Sequence, residues 1–182
     1  MLVLKLVAAN STAWSFSQLG KELFMSTSHA FASVLRAEAA NLLSISKAPL
    51  SPPRARGLLF EPQRSNLQEF LIHGVKYAFP VERGGVTRGI STAEGAPPLN
   101  EHFAEPSTLP PVWPYADGAV RGTAFSPLYK NVPQAALRDP KLYELLALVD
   151  AIRGGRARER EIAIRELTTR IDTAGQTHES SL

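Results

Sequence analysis

The sequence predicts a mainly α chain of the α+β class. Three observations carry that expectation. Residues 15–43 read as two short helices joined by a tight turn. Asp139-Pro140 opens a strongly apolar helical stretch. Between them lies a Gly- and Pro-rich middle with room for only short strands.

The chain begins with LVLKLVAA at 2–9, apolar enough for a largely buried helix, which Asn10-Ser11-Thr12 ends. Trp14 precedes Ser15, and Leu19 is the fourth helical residue after it, the arrangement of a hydrophobic staple. Ser15 and Gln18 form an S-x-x-Q capping box. Leu19 and Leu23 fall on one face of the helix that follows. Ser26 is the expected N-cap of the next helix, with Ala30, Val34 and Ala37 on its inward side.

The order Leu19-Gly20-x-x-Leu23-x-Met25-Ser26-x-x-x-Ala30-x-x-x-Val34 resembles the helix-turn-helix of bacterial regulators. Gly20 stands where that pattern places a small residue at a close helix crossing. Phe24 departs from it, since the family often has Gly at the turn. An ordinary helical hairpin in a core would show the same periodicity. The resemblance implies that the second helix enters the major groove. Its exposed residues would be Thr27, Ser28, His29, Phe31, Ala32, Ser33 and Arg36. Thr27 and Ser28 could hydrogen-bond bases or phosphates, and Phe31 and Ala32 could meet thymine methyls. Arg36 reads equally as a guanine or phosphate contact and as a solvated surface charge. His29 reads as a phosphate or base contact.

After Leu43, Pro49, Pro52 and Pro53 forbid a continuing helix, and Lys47, Arg54 and Arg56 surround them. This basic loop stands where a winged module carries its two-stranded wing, so Lys47, Arg54 and Arg56 join the expected DNA contacts. Residues 65–77 form a further helical unit, started by Ser65 and Gln68 and striped by Leu67, Phe70, Leu71 and Val75. His73 falls near its end, suited to the helix dipole or a core hydrogen bond. Tyr77 to Pro80 reads as extended.

Residues 81–114 read as a long irregular region in which Trp113 and Tyr115 pin the loop to a neighbour. Gly84-Gly85 lacks the Gly-Lys-Ser/Thr of a phosphate loop, so no cofactor is implied. Glu101, His102 and Glu105 have the residue types of a metal or acid–base group, yet they lack a second histidine at helical spacing and match no metalloprotease motif. Residues 120–129 suggest a short strand ending in a turn. In the next helix Leu142, Leu145, Leu146, Val149 and Ile152 make one apolar face until Gly154-Gly155. A last helix, about 156–171, alternates arginine and glutamate as a solvated, salt-bridged face.

Composition bounds the function. The chain has 182 residues, 44% of them hydrophobic, and no cysteine. Thiolate catalysis, disulfides and cysteine-bound zinc are therefore excluded. No apolar run reaches a membrane span, and no export signal stands out, so a cytoplasmic setting without membrane contact is expected. Residues 1–60 hold six basic and two acidic side chains, a net of 6 − 2 = +4 against +3 for the whole chain. The excess positive charge that phosphate binding needs thus lies with the helix pair.

The segments FLIHGVKYAFP and ALRDPKLYELLALVDAIRGGRARERE are similar to those of bacterial winged-helix proteins described as MarR-like regulators, in operons that also encode nucleotidyltransferase-type toxins. The resemblance implies a regulator or an antitoxin. The expected organisation is a winged helix-turn-helix DNA-binding domain at 1–80. An irregular region and a C-terminal helical dimerisation or partner-binding domain follow at 81–182. The expected function is sequence-specific binding of double-stranded DNA by a homodimeric repressor whose 140–171 helices pair the subunits. The alternative is an antitoxin or interaction protein that binds a toxin-type enzyme through 81–135. With scattered histidines and no nucleophile motif, an enzyme is the weakest reading.

Overall fold

The computed structural model describes residues 1–10, 13–47, 58–103 and 108–176. The fold is mixed α/β, largely helical, with two small sheets. Helix α1 (Leu2–Ala9) is its axis, and every residue from Leu2 to Ala8 is buried. It contacts elements from both halves of the chain, so residues before and after 80 share one core.

Strand β1 (Ala13–Trp14) leads into α2 (Phe16–Glu22) and α3 (Thr27–Ala39), followed by β2 (Leu43–Lys47) and β3 (Leu58–Pro62). The three strands form an antiparallel sheet in the order β1-β3-β2, with Ala13 opposite Leu59 and Ile45 opposite Phe60. Trp14 packs partly buried against the core, as expected, and pairs with Leu58 in the sheet. The ammonium of Lys5 lies 5.7 Å from its ring centre.

A helix from α4 (Arg64–Glu69) to α5 (Val75–Ala78) contains a π-helical turn at Phe70–Gly74. It starts one residue before Ser65, which therefore caps nothing. The cause is local: β3 ends at Pro62, and the Gln63 N–H donates to Leu42 O at 3.0 Å, turning the chain at once. Tyr77 and Ala78 remain helical instead of extended.

The stretch expected to be irregular holds β4 (Arg83–Ser91), the longest strand among the described residues, and β5 (Pro111–Pro114). Strand β6 (Val120–Phe125) closes a three-stranded unit, antiparallel to β4 and parallel to β5. Glycine permits this closure. A Cβ on Gly89 would lie 2.0 Å from Trp113 O, and one on Gly122 2.0 Å from Pro110 O.

Helices α6 (Val132–Arg138), α7 (Pro140–Gly154) and α8 (Ala157–Gln176) follow. Asp139 caps α7, its Oδ1 accepting from Lys141 N at 3.0 Å and Leu142 N at 3.1 Å. The apolar residues of α7 are covered inside the chain, and Arg170 of α8 reaches back to Glu144 at 3.0 Å.

Two buried polar centres tie these parts together. Lys5 donates to Glu22 at 3.0 Å and to Asp139 at 2.9 Å, joining α1 to the end of α2 and the start of α7. Burial pulls its pKa down, but hydrogen bonds and the charges of Asp139 and Glu22 prevail and raise it. Asp150 accepts from Trp113 Nε1 at 2.6 Å, Thr92 Oγ1 at 2.9 Å and Arg153 Nη1 at 2.5 Å. Arg153 also donates to the carbonyls of Phe79 and Ser126. Burial pushes the Asp150 carboxyl up to about 6, against these favourable partners.

Candidate nucleic-acid interface

The α2–α3 unit is set by its caps. Ser15 Oγ accepts from Gln18 N at 3.2 Å, and Gln18 Oε1 accepts from Ser15 N at 2.9 Å. Ser26 Oγ accepts from His29 N at 3.2 Å. Between the helices, Met25 N donates to Gly20 O at 2.9 Å. A Cβ on Gly20 would lie 2.7 Å from Met25 O, so the crossing requires glycine there. Phe24 adopts a left-handed φ of 53°, the backbone state in which glycine would be unstrained.

Leu19, Leu23, Ala30 and Val34 are fully buried and define the inner side of the pair. Helical spacing then divides the rest of α3 into three strips. Ser28, Ala32, Leu35 and Ala39 point away from the core. Thr27 and Phe31 lie on the flank nearer the sheet, where the Phe31 ring meets Phe16 edge-on at 5.1 Å and Phe16 meets Phe60 at 5.5 Å. His29, Ser33 and Arg36 lie on the other flank.

That last flank does not face open solvent alone. His29, Ser33 and Arg36 border a largely apolar cavity of about 400 Å³, whose other walls include Leu4, Leu71 and Leu128. The His29 ring lies 5.8 Å from that of Tyr129, and Arg36 donates to Ser33 Oγ at 3.0 Å. Nothing in the local sequence announces Leu128 and Tyr129, about a hundred positions away.

Thr27, Ser28, His29, Phe31 and Arg36 are exposed, as the helical pattern requires, while Ala32 and Ser33 are half-buried. Leu35, 42% exposed, belongs to the outward strip and was missing from the expected set; continuing the Ser28–Ala32 spacing by three would have found it. The outward strip carries no charge, so Arg36 is the cation that α3 itself offers. Lys47 is the last residue of β2, and its side chain lies outside the described residues, as do Arg54 and Arg56.

Of Glu101, His102 and Glu105, only the first two fall among the described residues. His102 lies 3.5 Å from Glu166 of α8. Among the described residues no cluster of three or more His, Asp or Glu could hold a metal. Nor is any helix among them long and apolar enough to cross a membrane.

Comparison with known proteins finds no protein family, no curated protein and no solved structure that matches this chain.

Proposed function

We propose that the N-terminal unit is a winged helix-turn-helix and that the protein is a sequence-specific DNA-binding regulator. In this reading it represses in the cytoplasm as a homodimer. The order helix, strand, two helices, hairpin and the β1-β3-β2 sheet support it. So does the close crossing at Gly20. The observation that carries the reading is the outer side of α3, where Ser28, Leu35 and Ala39 are exposed and which follows a capped helix start with Thr27 on the adjoining flank.

Ser28, with Thr27 beside it, then meets base edges, and Ala32 and Leu35 meet thymine methyls. Arg36 reaches a phosphate from the flank, and Lys47 at the end of β2, with Arg54 and Arg56 in the sequence between β2 and β3, supplies the remaining cations. The dimer uses the charged outer face of α8, since the apolar residues of α7 are already covered.

The test is binding to the duplex upstream of the protein's own gene, titrated against salt beside an unrelated duplex. Tight binding to the first alone, weakening steeply with salt, supports the regulator. Equal and weak binding to both removes it. A second reading is favoured by exposed apolar groups between 81 and 135: Val86 is 48% and Leu109 44% exposed. It is an antitoxin or interaction protein that binds a partner enzyme through residues 81–135. Co-purification of a stoichiometric enzyme, in place of DNA binding, would favour it.

A further inference from the structure

Arg88 on β4 and Arg121 on β6 stand directly opposite each other in the antiparallel ladder. Both side chains are exposed, and among the described residues neither forms an ion pair. Like charges directly opposite on paired strands are destabilising. Each arginine is followed by a glycine, Gly89 and Gly122, and those glycines have a structural task in letting β5 approach. Successive strand residues point to opposite faces, so the arginines project away from that contact. Closing the strand unit therefore explains the glycines and leaves the arginines without a structural role.

The two side chains also border a concave surface. Val86, Thr87, Arg88, Ala119, Val120 and Arg121 enclose about 270 Å³, room for a phosphate group and part of what bears it. Unlike the cavity beside α3, this one is mostly polar. A guanidinium presents a planar fork that matches phosphate oxygens in pairs, and two forks side by side match one group carrying several such oxygens.

We propose that Arg88 and Arg121 together bind a phosphate group, and that this ligand is what offsets their repulsion. The group is carried either by a small phosphorylated molecule or by a nucleic-acid backbone. The site lies outside α3 and does not depend on the regulator reading.

The first arm of the test is thermal unfolding of the full chain in inorganic phosphate, against sodium chloride of equal ionic strength. Phosphate should raise the Tm of the wild type saturably, and should not raise that of Arg88→Gln or Arg121→Gln. Arg121→Glu should raise the Tm of the unliganded protein, because it places opposite charges across the strands, and should abolish the phosphate response. The second arm measures binding of an unrelated duplex. If phosphate leaves the wild type unchanged while Arg88→Gln lowers the salt slope by about 1, the source is a nucleic-acid backbone. The proposal is overturned if phosphate stabilises wild type and both glutamine variants equally, or if neither arm responds to the substitutions. It is equally overturned if Arg121→Glu destabilises the unliganded protein.

Discussion

The indole N–H of Trp113 donates a 2.6 Å hydrogen bond to the carboxylate of Asp150, and both residues are withdrawn from water. This bond joins β5 to α7, with Thr92 and Arg153 filling the remaining positions around the carboxylate. Burial raises the Asp150 pKa from 3.8 to about 6, so the folded protein holds this proton more tightly than the unfolded chain. The stability that this affords is present below pH 3.8 and is lost as pH rises through about 6. The difference across that window is about 3 kcal/mol. Urea unfolding of wild type and Asp150→Asn at several pH values should show it. The stability of wild type relative to the variant should fall between pH 4 and pH 6.5, and a flat difference would contradict the assignment.

At pH 7 the same carboxylate is ionised and neutralises Arg153. Asp150→Ala leaves that guanidinium buried without its counter-charge, which costs about 3–5 kcal/mol. Trp113→Phe removes one hydrogen-bond donor and should cost about 1–3 kcal/mol. Denaturant midpoints measured at pH 7 would rank the two, and the reverse order would mean that Arg153 finds other partners.

Lys5 holds the other junction. Its ammonium is 7% exposed between Glu22 and Asp139, which are 27% and 17% exposed. Lys5→Met preserves the apolar stem but leaves two carboxylates facing each other. Because both still reach water, the expected loss is about 2 kcal/mol, below that for a fully buried pair. The pKa of Lys5 is raised, so its contribution is intact at neutral pH and disappears only as pH climbs through the raised value. A chemical-denaturation series at pH 7 and at strongly alkaline pH should show the variant's deficit shrinking at the alkaline end.

Local chemistry made α2, α3 and α7 legible, because Ser15, Ser26 and Asp139 cap them as their side chains dictate. Strand β4 was not legible: RGGVTRGIS lacks apolar alternation, and its pairing depends on glycines at backbone contacts with residues far along the chain. The Asp150 centre left one local sign, an aspartate inside the apolar run LALVDAIR with Arg153 three positions on. Its partners Thr92 and Trp113 are 58 and 37 positions away, a separation that no local pattern encodes. On α3, periodicity found the inner side through Ala30 and Val34. It could not show that Tyr129 flanks His29.

Phe24 offers a direct check on the turn. Its left-handed backbone is unfavourable for a bulky residue by about 1–2 kcal/mol. Its ring, 44% exposed, has the Arg138 guanidinium 5.7 Å away in partial compensation. Phe24→Gly should therefore leave stability unchanged or raise it by up to about 1 kcal/mol. Gly20→Val, which drives a side chain into Met25 O, should lower it by more than 2 kcal/mol. Thermal melts of the two variants should move in these directions, and a destabilised Phe24→Gly would show that the ring is held by more than Arg138.

The two sides of α3 make separable predictions. Ala32 lies on the outward strip, opposite Ala30 and Val34, and is half-buried, so a glutamate there points away from the core and should change stability by less than about 1 kcal/mol. If α3 enters the major groove, that glutamate faces the phosphates and should weaken binding to the upstream duplex more than tenfold. Ala37 instead borders the 400 Å³ cavity, where Ala37→Leu adds three carbons to apolar space. At about 0.8 kcal/mol per buried methylene, less the cost of repacking, the gain should be about 1 kcal/mol. Duplex binding should be unaffected, because the new side chain grows inward. Measuring both variants in both assays separates folding from recognition. If Ala32→Glu binds the duplex as wild type does, α3 is not the reading element. If Ala37→Leu also loses binding, the groove contact extends to the cavity flank, and His29 and Ser33 join Arg36 in it.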